Sequence, residues 1–254
     1  MISRLTIRFD VNDKLRYSYN IGSVLQGVMM ENISREYAGA MHSSQVHPYS
    51  QHSEYEGGRL IWVICALNDE ARAQLTDPLL SGSFDKIYIK DKDITLNIAD
   101  RQLSDLSYDE LFGRHYVTGD AYRYAELEFI TPVSFKADGK YLIFPSSQMI
   151  IKNLMRKYDT SSEGTQIYDE ALNELIVKNT DIVGYSLHTV KYMISGVNIP
   201  SAIGRVTLKI SGAPEFIRLI NMLLDYGEYS GVGIKASMGM GAYRIIGRRG
   251  KING

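Results

Sequence analysis

The chain has 254 residues, of which 44% are apolar, and this is enough for one large domain or two small ones. There is no run of 18 apolar residues and no apolar signal-peptide core near the start. We therefore expect neither a membrane span nor export, and we expect a cytoplasmic protein. The single Cys65 excludes an internal disulfide and a cysteine metal cluster.

The charges are distributed unevenly along the chain, although the net charge is only −1. Residues 182–254 hold nine Lys or Arg and three acidic residues, whereas residues 1–181 hold 19 basic and 26 acidic residues. A basic segment of this kind is the electrostatic footprint that a polyanionic partner requires. A basic tail without a partner would give the same distribution.

The first hundred residues alternate between strand and helix patterns. The predicted elements, in chain order, are a strand at 2–9, a helix at 21–41, strands at 46–55 and 59–67, a helix at 69–80, and a bent strand or hairpin at 83–98. Asn68 or Asp69 can cap the second helix. The order β-α-β-β-α-β is that of a ferredoxin-like domain.

The second half repeats this order after a polar stretch. The predicted elements are a strand at 122–135, helices at 146–160 and 166–178, strands at 181–194 and 201–211, a helix from Pro214 to a C-cap at Gly227, and a final strand. On the first of these helices, Lys152, Arg156 and Lys157 are predicted to face solvent.

The sequence therefore predicts an α+β protein built from two tandem ferredoxin-like domains, which resemble RNA-recognition domains in topology. The predicted boundaries are 1–100 for the first domain, 101–121 for an irregular linker, and 122–254 for the second domain with its C-terminal glycine-rich loop.

The most informative stretch is SGVGIKASMGMGAYRII at 230–246. It contains two G-x-G pairs with a lysine and a serine between them; the residues are Gly231, Gly233, Lys235, Ser237, Gly239 and Gly241. Glycines let backbone N–H groups form a concave anion site, and a lysine within it adds a point charge for phosphate. The pattern predicts a loop that holds phosphates.

The context of this loop excludes the two common nucleotide motifs. A mononucleotide loop needs Lys and Ser or Thr after its last glycine, and here Met240 follows Gly239. A dinucleotide loop lies between a strand and a helix, whereas this one follows a helix and precedes a strand. A loop that tracks a polynucleotide backbone and a glycine-rich turn without a ligand both stay open on these grounds.

A family resemblance decides between them. The loop YSGVGIKASMGMGAYRI, at the end of a second ferredoxin-like domain, resembles the glycine-rich signature of the CRISPR-associated endoribonucleases that cut precursor CRISPR RNA within its repeats, the sixth family of that series. The segments VLQGVMMENI, AGAMHSS and PYS, in residues 22–50, resemble the first helix of that family and the segment after it. The variant found beside type III CRISPR systems is the most similar.

The resemblance implies RNA cleavage without a metal or other cofactor. The 2′-hydroxyl next to the scissile phosphate attacks it and leaves 2′,3′-cyclic phosphate and 5′-hydroxyl ends. A catalytic histidine follows the first helix in this family, and the matching position here is His42. The alternative function is that of a related, non-catalytic RNA-binding subunit of a CRISPR ribonucleoprotein.

The sequence departs from the family beside this histidine. Many members add a lysine and a tyrosine, but this chain has no lysine from 17 to 85, and Met30 stands at the tyrosine position. The local substitutes are His47 and, less strongly, Tyr37, with Tyr49 and Ser44 also in reach. A lysine of the second domain is the other alternative: Lys152, Lys191 or Lys235. The expected RNA-binding residues are the six loop residues named above together with Lys152, Arg156 and Lys191.

The resemblance also implies the partners. We expect the repeat RNA of the precursor transcript as substrate and a transient transfer of the product to a CRISPR effector complex. The protein itself is expected to be a monomer or a homodimer, without a bound metal and without a membrane.

Overall fold

The structure is a computed structural model that describes residues 1–11, 15–44, 46–89, 93–119, 121–164 and 166–252, with residues 42 and 43 described by their backbone alone. It contains two large antiparallel sheets, and helices pack on one face of each. A third, two-stranded antiparallel sheet is formed by Phe135–Ala137 and Lys140–Leu142. In the described part of the chain, no helix has both the length and the apolar character needed to cross a bilayer.

The first sheet and its helices come from the first 106 residues. The elements are β1 (Ile2–Asp10), α1 (Ile21–Glu31), α2 (Arg35–Ser43), β2 (Tyr49–Glu56), β3 (Arg59–Ala66), α3 (Asp69–Ala71), a π-helical turn (Arg72–Thr76), α4 (Asp77–Leu80), β4 (Lys86–Ile89) and β5 (Ile94–Leu106). The strand order is β2-β3-β1-β5-β4, with β1 in the centre. Alternate residues of β1, such as Leu5 and Ile7, face a core that also contains Leu25 and Met29 of α1.

The second sheet follows a helix that links the two halves. The elements are α5 (Tyr108–Tyr116), β6 (Tyr122–Val133), β7 (Phe135–Ala137), β8 (Lys140–Leu142), α6 (Ser147–Ser161), α7 (Glu170–Asn179), β9 (Thr180–Ile194), β10 (Val197–Ile210), α8 (Pro214–Ser230), a 3₁₀ turn (Ala236–Met238) and β11 (Tyr243–Lys251). The strand order is β11-β6-β10-β9. Leu154 of α6 and Ile220 of α8 lie in its core.

Both halves have the predicted β-α-β-β-α-β order. In each sheet the first strand of the unit lies between its third and fourth strands, and all the pairings are antiparallel. The predicted pair of tandem ferredoxin-like domains is confirmed. The hairpin of β4 and β5 extends the first sheet by one strand.

The prediction of an irregular linker at 101–121 is wrong. Strand β5 continues to Leu106, where it pairs with Ile2, and α5 follows directly. Ser107 and Glu110 form a reciprocal capping box that starts this helix. Leu111 is fully buried in the core of the second sheet, so α5 is a packed element.

The predicted helix at 21–41 is two helices. Helix α1 ends at Glu31, and the side chain of Ser34 accepts a hydrogen bond from the N–H of Tyr37 to start α2. The apolar period continues through the break, because Met29 and Tyr37 reach the same core. A continuous period therefore hid the boundary between the two helices.

Helix α8 passes the predicted C-cap at Gly227 and ends at Ser230, with Gly231 as its C-cap. Gly227 is required for a different reason. A Cβ atom there would lie 2.0 Å from the hydroxyl oxygen of Tyr243, which donates a hydrogen bond to the carbonyl of Leu224 over 2.7 Å. This glycine lets β11 pack directly against the helix.

We expect Gly227→Ala to lower the free energy of unfolding by about 3 kcal/mol, because the added methyl group displaces Tyr243 and its buried hydrogen bond. Urea denaturation measures this change. Gly113→Ala in α5 is the matched control, since a Cβ there meets no atom within 4 Å. The control should be neutral or gain up to about 1 kcal/mol. Equal stability of the two variants would contradict this account of Gly227.

Candidate functional site

The glycine-rich loop, residues 231–242, joins α8 to β11 and folds back onto the strands beside it. Gly241 has a φ of 70°, and a Cβ there would lie 1.8 Å from the carbonyl oxygen of Val232. Gly233 has a φ of 78°, and a Cβ would lie 2.4 Å from the carbonyl oxygen of Ser134. Both positions need glycine for their conformation and for the closeness of the neighbouring backbone.

Hydrogen bonds within the protein use most N–H groups of the loop. The donors are Gly231, Val232, Gly233, Ile234, Met238, Gly239, Met240, Gly241 and Ala242. The expectation of an open cradle of free N–H groups is therefore wrong for most of the loop. The loop is a folded scaffold from which Lys235, in a left-handed conformation with a φ of 57°, projects its exposed side chain.

Helix α6 anchors the start of the loop with two side chains one turn apart. Lys157 donates hydrogen bonds from Nζ to the carbonyls of Ser230 and Gly231, each over 2.9 Å. The Oδ1 atom of Asn153 accepts from the N–H of Gly233 over 2.8 Å. A lysine at the carbonyl end of α8 satisfies groups that the helix leaves unpaired.

Lys157 is buried, which corrects its predicted place on the exposed face of α6. Removal from water disfavours the charged ammonium, and burial lowers the pKa of Lys157 to about 7. Its predicted companions differ from it: Arg156 is exposed, with its guanidinium 5.6 Å from the ring centre of Tyr168, and Lys152 is half-buried.

The 3₁₀ turn of the loop meets the first domain at His47. The Nδ1 atom of His47 lies 2.8 Å from Oγ of Ser237, within hydrogen-bonding distance. The imidazole also stacks on Tyr49, with ring centres 5.5 Å apart and planes at 16°. Two residues that are 190 positions apart in the sequence thus form one polar contact between the domains.

A buried amide supports the same turn. The Nε2 atom of Gln51 donates to the carbonyl of Gly22 over 2.7 Å and to that of Ser237 over 3.3 Å. Its Oε1 atom accepts from the indole of Trp62 over 2.9 Å. From the second domain, the hydroxyl of Tyr192 donates to the carbonyl of Met238 over 2.6 Å. The turn is thus held from both sides.

Further contacts join β2 and β1 to the end of α8 and to β11. Ser50 donates from its hydroxyl to the carbonyl of Tyr229, and Arg244 forms an ion pair with Glu54. Arg4 donates to the carbonyl of Glu228 over 2.8 Å. These contacts fix the first domain against the base of the glycine-rich loop.

The backbone of His42 lies in the last turn of α2, and its side chain is outside the described residues. Tyr37 lies on the same helix and is only 4% exposed. Burial raises the pKa of the Tyr37 hydroxyl, which has no hydrogen-bond partner among the described residues. The structure brings His47 to the loop and places Tyr37 in the first core.

Lys191 lies on β9 and is exposed. Successive side chains on a strand point to opposite faces, so Lys191 faces away from its neighbour Tyr192, which contacts the loop. The remaining loop residues, Gly231, Gly239 and Ser237, are buried in the scaffold. Among the residues that the structure describes, no cluster of His, Cys, Asp and Glu is suited to hold a metal ion.

Sequence reasoning missed the supporting residues of the site: Gln51, Asn153, Lys157 and Tyr192. One local signal was available, because strand alternation places Gln51 on the same face as the buried Tyr49. A polar side chain on a buried face needs hydrogen-bond partners, so its position indicates a structural role. A similar signal was available for Lys157, because Ile150, Leu154 and Lys157 follow the i, i+4, i+7 spacing of one helix face. Asn153 and Tyr192 carry no such signal.

The family model and the curated relatives that match this chain all describe the same kind of protein. A family model described as CRISPR-associated endoribonuclease Cas6 matches residues 127–243. A CRISPR-associated endoribonuclease Cas6 of Mycobacterium tuberculosis is 30% identical over 247 residues, which cover 96% of this chain and 78% of that protein. Its counterpart in Streptococcus thermophilus is 29% identical, over 88% of this chain and 90% of that one.

Solved structures share the fold. A Cas6 product complex has a TM-score of 0.79 at 19% identity and covers 97% of this chain and 99% of that chain. A Cas6 of Thermus thermophilus has a TM-score of 0.74 at 20% identity and covers 96% of this chain and 97% of that chain. These likenesses extend over both domains.

The pKa of Lys157 makes stability depend on pH. Between pH 7 and pH 10 the unfolded chain holds a proton that folded Lys157 has released, so folding becomes more favourable as the pH rises. Relative to Lys157→Met, the free energy of unfolding of the wild-type protein should increase by about 1.4 kcal/mol per pH unit in this window. Below pH 7 the difference between the two proteins should become constant.

Urea denaturation of both proteins from pH 6 to pH 9.5 measures this difference. Lys178→Met, which removes an exposed lysine from α7, controls for the loss of one positive charge. The quantity compared is the free energy of unfolding of the wild-type protein minus that of Lys157→Met. If this value stays constant or decreases as the pH rises, the lowered pKa of Lys157 is contradicted.

Proposed function

This chain belongs to the Cas6 family of CRISPR-associated endoribonucleases, and from this premise we propose that it cuts precursor CRISPR RNA within the repeats to make guide RNAs. The contact of His47 with Ser237 is the observation that links this proposed activity to specific residues. It joins the histidine-bearing segment of the first domain to the glycine-rich loop of the second, so proton transfer and backbone binding can act on one phosphodiester.

The proposed reaction uses the RNA's own nucleophile. The 2′-hydroxyl oxygen attacks the adjacent phosphorus while its proton passes to a base, and the bond from phosphorus to the 5′-oxygen breaks. The leaving 5′-oxygen takes a proton from an acid. The products are a 2′,3′-cyclic phosphate and a 5′-hydroxyl, and no metal takes part. Histidine suits either proton role because its unperturbed pKa is about 6.5.

His42 and His47 are the proposed proton-transfer residues. His42 lies at the C-terminal end of α2, where the helix dipole favours an imidazolium, so it serves as the acid or as a stabiliser of the phosphate charge. His47 is the second proton-transfer group, and Ser237 orients its ring. Tyr37 is assigned a packing role, because its side chain is buried in the core of the first domain.

The RNA backbone is proposed to bind along the glycine-rich loop. Lys235 provides the exposed cation of the loop, and the buried glycines fold the loop so that this side chain faces a phosphate of the RNA. Arg156 and Lys152 lie on α6, which anchors the loop through Asn153, and they contact phosphates further along. Lys191, on the opposite face of β9 from the loop, contacts RNA that wraps around the hairpin.

The product RNA is proposed to pass to a CRISPR effector complex in the cytoplasm, as the type III-like resemblance implies. The protein acts as a monomer or homodimer. Light scattering of the free protein and of its mixture with repeat RNA determines the stoichiometry.

Cleavage of the cognate repeat RNA in EDTA tests the proposed reaction. The wild-type protein should cut one phosphodiester, and a 2′-deoxy substitution at that site should abolish the cut. His42→Ala should lower the single-turnover rate by about 10²- to 10⁴-fold, because it removes a proton-transfer group. His47→Ala should lower the rate by a smaller factor.

His188→Ala, which removes an exposed histidine from β9, is the control and should cleave at the wild-type rate. A strict requirement for Mg²⁺, or full activity of His42→Ala, would sink the mechanism. Tight binding of the repeat by wild-type protein with no cleavage would favour the non-catalytic binding subunit.

Lys235→Ala should weaken binding of the repeat and lower the dependence of log Kd on log salt concentration by about one unit, since it removes one phosphate contact. Filter binding across a salt series measures the slope. Lys178→Ala, on the exposed side of α7, should leave the slope unchanged. An unchanged slope in Lys235→Ala would show that the loop does not contact the backbone through this side chain.

A further inference from the structure

The side chain of Gln51 is buried between the domains, with only 1% of its surface exposed. It lies on β2, two residues after Tyr49, and the three hydrogen bonds described above occupy both ends of its amide. A buried amide with partners at both ends has one favoured orientation and resists displacement.

Trp62 dictates which way this amide points. The indole nitrogen of Trp62 is a donor only, so the atom of Gln51 that faces it is the carbonyl oxygen. The amide nitrogen is then directed at the carbonyls of Gly22 and Ser237. The core of the first domain thus sets the direction in which Gln51 donates to the glycine-rich loop.

Ser237 is held at two atoms by one short segment of the first domain. Its carbonyl accepts from Gln51 and its hydroxyl meets Nδ1 of His47. A shift of the Ser237 backbone would therefore alter the hydroxyl contact and the position of the imidazole. The rest of the turn has separate support, because Tyr192 holds the carbonyl of Met238.

We propose that Gln51 is a positioning residue for His47, and that it acts through Ser237. By holding the carbonyl of Ser237, it sets the 3₁₀ turn at the place where the serine hydroxyl meets the imidazole. Gln51 itself contacts no reacting atom. The inference rests on the proposed function for its effect on cleavage, whereas its structural part concerns the free protein.

A double-mutant cycle separates this role from simple stabilisation. Gln51→Met keeps the size of the side chain and removes its hydrogen bonds, and Ser237→Ala removes the hydroxyl that meets His47. Each single variant should lower the single-turnover cleavage rate at saturating RNA by about tenfold to a hundredfold. The cleavage rate of the double variant should be no lower than that of the slower single variant. The Kd of Gln51→Met for RNA should stay within twofold of the wild-type value.

Nitrogen-15 NMR of the histidine rings provides a readout that needs no RNA. In the free protein, Gln51→Met and Ser237→Ala should both shift the His47 ring resonances in the same direction and leave those of His188 unchanged. Gln102→Met, which replaces an exposed glutamine on β5, is the matched control and should shift neither. If Gln51→Met does not fold, Gln51→Leu takes its place, since it also removes the donor to Ser237 and places no charge at this buried site.

Unchanged His47 resonances in the folded Gln51 variant, or fully additive losses of rate in the double variant, would overturn the proposal. Absence of cleavage by the wild-type protein would overturn the proposed function alone, because the NMR comparison would still decide whether Gln51 positions His47.

Discussion

The 3₁₀ turn at Ala236–Met238 lies between the two domains, and the geometry of the site depends on the hydrogen bonds that fix this turn. Its successive carbonyls at Ser237 and Met238 accept hydrogen bonds from Gln51 in the first domain and Tyr192 in the second. Each partner is buried, so the loss of either leaves an unpaired carbonyl at a cost of about 1–3 kcal/mol. Glycine at position 22 allows the approach, because a Cβ there would lie 3.0 Å from Cα of Gly239.

The packing of the loop gives its glycines a structural role. A glycine-rich loop suggests mobile backbone with free donors, but here the glycines serve close packing and internal hydrogen bonds, as Gly241 against Val232 illustrates. A folded loop places Lys235 and the turn at Ser237 in fixed positions without an ordering cost when RNA binds. Fixed donors and cations are what stabilise the charge that develops on a phosphate during attack.

The pattern of the sequence predicted most of the fold but only part of the site. Local periodicity and turn residues identified both β-α-β-β-α-β units, since each signal lies within its own element. The polar outer side of β5 resembled a linker, and the apolar period concealed the break before Ser34. The hydrogen-bond partners of Lys157 and the contact of His47 with Ser237 depend on packing between distant segments, which no local pattern encodes.

The central claim is that RNA is cut where the first-domain histidines meet the glycine-rich loop. The most direct measurement is an experimental structure of the protein with a repeat RNA that carries a 2′-deoxy substitution at the cleavage position. The scissile phosphate should lie within about 3 Å of the imidazole of His42 or His47, and Lys235 should contact an adjoining phosphate. A scissile phosphate bound elsewhere on either sheet, with neither histidine in contact, would contradict the central claim.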